Sequence, residues 1–135
     1  MYKKVLVAMA LDHEVSRNTL AFANAICEDG GTILALHVME EPSGTASARL
    51  REDLLAEGSA RAASLFKDKL VDYPNVEPIM AHGHPSRVIL ETAAERGVDC
   101  IVMGSHKPGL ADYFIGSTAA RVVRHAECSV HVYRG

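Results

Sequence analysis

The chain has 135 residues, 48% of them hydrophobic and 23% charged, with a formal net charge of −3. This is the composition of one globular domain with a single substantial core, and it excludes a disordered chain. The slightly acidic balance and scattered basic residues exclude a general nucleic-acid or anionic-membrane surface. No apolar run approaches the length of a membrane span. Cys27, Cys100 and Cys128 are odd in number, far apart and without a CxxC pair. They argue against a disulfide framework or a structural zinc and suit a reducing cytoplasm.

The first element is a continuous apolar run over 5–11, the mark of a strand covered on both faces. Lys3 and Lys4 before it loosely imitate a signal peptide, but the run is short and a buried strand explains it better. Asp12 or Ser16 is placed to cap the helix that follows, with Leu20, Ala23 and Ile26 as its stripe and Gly30-Gly31 as its end. A second strand covers 32–39, and the Glu-Glu-Pro-Ser-Gly stretch beyond it is a loop. Leucines, alanines and Phe66 recur at helical spacing over 47–70, interrupted only by Gly58. A third strand covers 76–81. Pro85 opens a helix that stops at Gly97, a fourth strand covers 100–103, and a last helix carries Ala119, Val122 and Val123 on one face. The fifth strand is Ser129–Tyr133.

Strands alternating with helices predict a single-domain α/β fold with a mainly parallel sheet, because parallel strands need crossover connections. In such sheets a ligand sits beyond the carboxyl ends of the strands, where the strand order reverses. The spacing does not give the order itself.

The stretch over 101–123, IVMGSHKPGLADYFIGSTAARVV, carries the chemistry. Gly104 after a buried strand permits close backbone approach by another group. Gly116-Ser117-Thr118 opens a helix whose first amides lack helical partners, and with the helix dipole these make an anion site. Lys107 between them adds a positive charge. Taken alone, these features favour ordinary turn chemistry, and neither a Walker A loop nor a GxGxxG follows any strand.

The residues GSHKPGLADYFIGSTAARVVRHAECSVHVYR resemble the C-terminal signature of the universal stress protein family. Val5-Leu6-Val7, Leu36-His37-Val38 and Gly83-His84-Pro85 resemble it too, so the likeness spans the whole chain as one domain, 1–135. The resemblance implies a doubly wound five-stranded parallel sheet, order 3-2-1-4-5, of the adenine nucleotide α-hydrolase-like kind. In one branch it also implies bound ATP, with or without Mg2+. On that reading Gly104 lies beside ribose and phosphates, Gly116, Ser117 and Thr118 hold the phosphates, and the Val38 backbone contacts adenine. Met9, Ala10, Leu11 and Asp12 form another wall, and Met103, Ser105, His106 and Lys107 complete the site.

Two departures stand out. The ATP-binding pattern has two glycines three residues apart and, ten further on, Gly-Ser or Gly-Thr. Here the second glycine is replaced by Lys107 and the loop is one residue shorter, as in a subgroup with Ser-His-Arg-Pro. The Pro-x-Asp common at the end of the first strand is replaced by Ala8 and Ala10.

The remaining candidates read as structure. His82-x-His84 has no carboxylate or Cys to complete a metal shell, and His37 suits a hydrogen-bonded core position. Ser105-His106 has neither a nucleophile elbow nor an orienting group. The first strand lacks the acidic pair of a phosphate receiver. Cys100 suits a small buried strand residue. The alternating last strand suggests an exposed edge, and the family pairs it with a second subunit.

The expectation is a cytoplasmic, homodimeric stress-response protein that binds ATP as a sensor or regulatory ligand, with at most slow hydrolysis and no catalytic residues. Nucleic acid and membrane are not expected partners. The alternative is a nucleotide-free dimeric interaction module of the same fold. A nucleotidyl transferase of the wider group lacks its second motif.

Overall fold

Val5, Leu6 and Val7 are all fully buried, although successive residues of a strand point to opposite faces. Only a strand covered by other elements on both sides satisfies that pattern. The computed structural model, which describes residues 1–9, 15–40, 47–105 and 115–134, supplies such cover. In chain order the elements are β1 (Tyr2–Ala8), α1 (Val15–Ile26), β2 (Cys27–Met39), α2 (Ala48–Lys69), β3 (Val76–His82), α3 (Pro85–Arg96), β4 (Cys100–Gly104), α4 (Ser117–His125) and β5 (Ser129–Tyr133). The strands form one sheet in the order β3-β2-β1-β4-β5, and every neighbouring pair is parallel.

The core is two layers, one on each face of the sheet. Val5, Val7, Ile33, Ala35 and Val102 meet Leu20 and Ala23 of α1 and Ala62 and Phe66 of α2. Leu6, Leu34, Leu36 and Ile101 meet Val88 and Ile89 of α3 and Ala119 and Val122 of α4. Alternate residues of one apolar run therefore feed two cores, which is why the run shows no polar alternation.

Several boundaries differ from the sequence reading. Helix α1 ends at Ile26, and β2 begins at once at Cys27, with a register shift against β1 between Tyr2 and Lys4. Gly30, with φ of 83°, and Gly31 lie inside this irregular start instead of ending the helix. A Cβ on Gly31 would lie 2.8 Å from the Lys3 carbonyl oxygen, so the two backbones approach as only glycine allows. Of the two proposed caps for α1, Ser16 falls inside the helix, which starts at Val15, and Asp12 lies outside the described residues. Helix α2 is capped by Ser47, the Leu50 amide donating to Ser47 Oγ at 3.2 Å. Leu50 and Leu54 nevertheless stay exposed, and the apolar stripe meets the core in the second half of the helix, with Ala62 and Phe66 buried and Leu65 and Leu70 packed beside them.

At the amino ends of the strands, Asp99 accepts the backbone amides of Lys3 at 2.9 Å and Lys4 at 3.0 Å. Partial burial alone would raise its carboxyl pKa. The two amide bonds and the Lys3 charge outweigh it and leave the carboxyl below its ordinary value. A depressed folded pKa gives stability that is complete above the unfolded value and is lost as pH falls through the folded one. Asp99→Ala is expected to cost about 1–2 kcal/mol at pH 7. The deficit should begin to shrink near about pH 4, the unfolded carboxyl value, and vanish only below the lower folded value, when urea midpoints are compared across the acid range.

Candidate functional site

Strand order reverses at β1, which carries β2 on one edge and β4 on the other. Helix α1, which follows β1, packs on one face of the sheet and α4, which follows β4, on the other, the arrangement that places a ligand crevice between the two strand ends. Two glycine-serine corners meet there. The Ser105 amide, directly after β4, donates to the Tyr133 carbonyl at 2.9 Å. The Gly116 amide, at the start of α4, donates to Ser105 Oγ at 2.9 Å. Residues 11 apart in sequence are thus joined by one hydroxyl, which sets the amino end of α4 against the carboxyl end of β4.

Gly116 is the N-cap of α4 in extended conformation, without a side-chain cap, and its carbonyl accepts the Ala120 amide at 2.9 Å. The amides of Ser117, Thr118 and Ala119 precede the first helical rung, so none has an acceptor within the helix. The helix has no acidic residue in its first turn and has Arg124 and His125 in its last. That charge pattern leaves the positive end of the dipole unopposed.

On the other wall, Met9 holds to β2 through both its backbone groups. Its amide donates to the Leu36 carbonyl at 2.8 Å, and its carbonyl accepts from His37 Nδ1 at 3.0 Å. The His37 ring also meets Phe66 of α2 edge-on, 6.1 Å between centroids. Val38 follows, half-buried, near the end of β2.

The structure brings Gly104, Ser105, Gly116, Ser117 and Thr118 into one corner and sets Met9 and Val38 at the ends of neighbouring strands. Met9 and Met103 are both buried in the core, so neither side chain faces a ligand. Ala10, Leu11, Asp12, His106 and Lys107 lie outside the described residues. Two side chains take on roles the sequence reading did not assign. Ser105 bridges the corners, and His37, expected only as a hydrogen-bonded core residue, holds the last described carbonyl of the β1 end. A serine directly after a buried strand and a histidine inside an apolar one were the available signals.

The other histidines diverge. His82 Nε2 lies 3.5 Å from Ser59 Oγ and His84 Nδ1 lies 3.1 Å from Ser86 Oγ. Between them Gly83 has φ of 135°, which breaks the strand alternation. Among the described residues no group of three His, Cys, Asp or Glu side chains is placed to hold a metal ion. Burial, with smaller contributions from nearby Cys128 and Asp99, pushes the Cys100 thiol up to about 11. It is a neutral core thiol and not a nucleophile.

The fold and crevice define a doubly wound α/β protein whose candidate site is built from backbone groups at the switch point. The family model for the universal stress protein family matches residues 1–134, and the chain belongs to that family. It is 31% identical over 140 residues to universal stress protein A homolog 2 of Coxiella burnetii, covering 98% of this chain and 95% of that protein. It is 28% identical over 145 residues to universal stress protein G of Escherichia coli O157:H7, covering 99% of this chain and all of that one. Among solved structures, universal stress protein UspA from Lactobacillus plantarum superposes with a TM-score of 0.83 at 23% identity, over 98% of this chain and 97% of that one. Two neighbours of the same fold were solved with nucleotides. One is a universal stress protein in complex with cAMP, at TM-score 0.73 and 17% identity over 99% of this chain and 98% of that one. The other, from Archaeoglobus fulgidus, is in complex with dAMP, at TM-score 0.64 and 20% identity over 97% of each chain.

Ser105→Ala removes the acceptor of the Gly116 amide. Its expected cost is about 1 kcal/mol, read as a lowered urea midpoint. Faster amide exchange at Gly116 than at Ala120 should accompany it.

Proposed function

We infer that this universal stress protein binds an adenine nucleotide, ATP in the first instance, as a regulatory or sensing ligand. The observation that carries this reading is the Ser105 bridge, which aims the open end of α4 into the crevice beside Gly104. The nucleotides in two neighbours of the same fold support the ligand class. Because the Gly116 amide is engaged by Ser105, phosphate capture falls to the Ser117 and Thr118 amides, with Lys107 assisting. The Val38 backbone takes the adenine, and Met9, Ala10, Leu11 and Asp12 form the wall beside it. Mg2+, where it accompanies ATP, binds through phosphate oxygens. No described side chain is positioned as a base against an attacking water, so hydrolysis is slow at most. Three free cysteines suit a cytoplasmic setting.

Nucleotides released from the purified protein and separated by ion-pair chromatography test this directly. An empty protein showing no thermal shift with millimolar ATP-Mg would favour the nucleotide-free interaction module instead. Substituting Gly116 with a bulky residue sharpens the test: among the described residues its Cβ would meet nothing nearer than Ser105 Oγ at 3.9 Å and the backbone is ordinary, so the fold accepts a side chain that would crowd phosphates held at Ser117 and Thr118. We expect a stability change under about 1 kcal/mol with at least a tenfold loss of ATP affinity by calorimetry. Unchanged affinity would mean that the phosphates are held elsewhere.

We also infer a homodimer through β5. The Tyr133 carbonyl faces β4, where it accepts the Ser105 amide, so the backbone groups of Val130 and Val132 face outward along an open edge. A proline at Val130 removes only an outward N–H, which an edge strand tolerates. Sedimentation at micromolar protein should give a dimer for the parent chain and a folded monomer for Val130→Pro.

A further inference from the structure

The β1–β2 ladder stops one rung early, and a side chain ends it. In parallel strands each residue of one strand turns both its N–H and its C=O to the same neighbour, and successive residues alternate between neighbours. The Gly83 amide donates to the Met39 carbonyl, so Met39 and, two residues back, His37 face β3. Leu36 and Val38 therefore face β1, and Leu36 does so visibly by accepting the Met9 amide at 2.8 Å. The next rung would run from the Val38 amide to the Met9 carbonyl. Among the described residues that rung is absent, and the carbonyl is taken by His37 Nδ1 at 3.0 Å. A carbonyl only accepts, so the ring nitrogen is the donor, in the Nδ1–H tautomer or as imidazolium. The ring is held in place by its edge-on contact with Phe66.

The geometry points to His37 as a positioning residue: by occupying the Met9 carbonyl it keeps the Val38 N–H and C=O turned toward the crevice instead of zipped to β1. Resting on the nucleotide reading above, this makes His37 the residue that sets whether the base-facing edge of the site is open. Its action is through Met9 and Val38, without contact to the ligand.

The test begins with nucleotide-free protein and needs no ligand. His37→Phe keeps a ring against Phe66 but has no donor, whereas His37→Asn keeps an N–H at the place of Nδ1. By amide hydrogen exchange, the Val38 amide of the parent chain should exchange at least tenfold faster than that of Leu36. In His37→Phe the released Met9 carbonyl should capture the Val38 amide and slow its exchange at least tenfold. His37→Asn should retain the parent rate. ATP affinity should follow the same pattern, at least tenfold weaker in His37→Phe and restored in His37→Asn. A slow Val38 amide in the nucleotide-free parent chain would overturn the proposal even if His37→Phe did not fold. So would unchanged Val38 exchange in His37→Phe, or His37→Asn behaving like it. A parent chain that binds no ATP would sink the nucleotide reading, while the exchange comparison would still decide the role of His37.

Discussion

The structure depends on a demand made by β1, which must be apolar on both faces and paired on both edges. Val5, Leu6 and Val7 have no exposed surface, and burying each such side chain stabilises by about 1.5–3 kcal/mol. Meeting that demand requires helices on both faces and strands on both sides. The chain builds β2 and β3 on one side, then crosses to add β4 and β5 on the other. Helices α1 and α4, which follow β1 and β4, then lie on opposite faces. A crevice at that point follows from covering the central strand, before any residue is chosen for a ligand.

Among the described residues, what the switch point presents is mostly backbone. Met9 and Met103 send their side chains into the core, and the polar side chains at the described rim work on the protein itself. Ser105 holds the Gly116 amide and His37 holds the Met9 carbonyl. Each satisfies one main-chain group at the end of an element, where the regular ladder runs out. The amides of Ser117 and Thr118 and the peptide of Val38 stand beside these fixed points. Among the described residues the site offers oriented backbone donors and acceptors.

The elements were legible because each had one dominant period. The doubly buried run of β1, Pro85 and Gly97 around α3, the apolar face of α3, and Ala119 and Val122 of α4 stand where the sequence puts them, whereas Val123 is exposed. The sheet order was not in the periodicity, since every buried parallel strand reads alike; it came from the family likeness. Two local misreadings share a cause. Gly30-Gly31 resembles a helix stop, but the second glycine is required by close approach to Lys3, a contact distant in sequence. Leu50 and Leu54 have helical spacing, but spacing cannot tell how far along α2 the sheet gives cover. The site was half legible for a similar reason. Its glycine-serine corners could be read locally, whereas the bonds that join them cross from one element to another.

The two edges of the sheet are treated differently, and the difference bears on assembly. The Gly83 amide turns to β2, so Pro78, an odd number of residues away, turns its nitrogen outward. A proline there removes a donor from the free edge of β3. The free edge of β5 presents Val130 and Val132, with neither a proline nor a charged residue in Ser129–Tyr133. Pairing β5 of one copy with β3 of another would be heterologous and would run on without closing, and Pro78 opposes it. Pairing β5 with itself is isologous, closes after two copies and leaves the crevice ends of both sheets outside the seam. The inferred β5 homodimer rests on this asymmetry, a proline on the outward nitrogen of one edge and none on the other, and so on which way single backbone groups point.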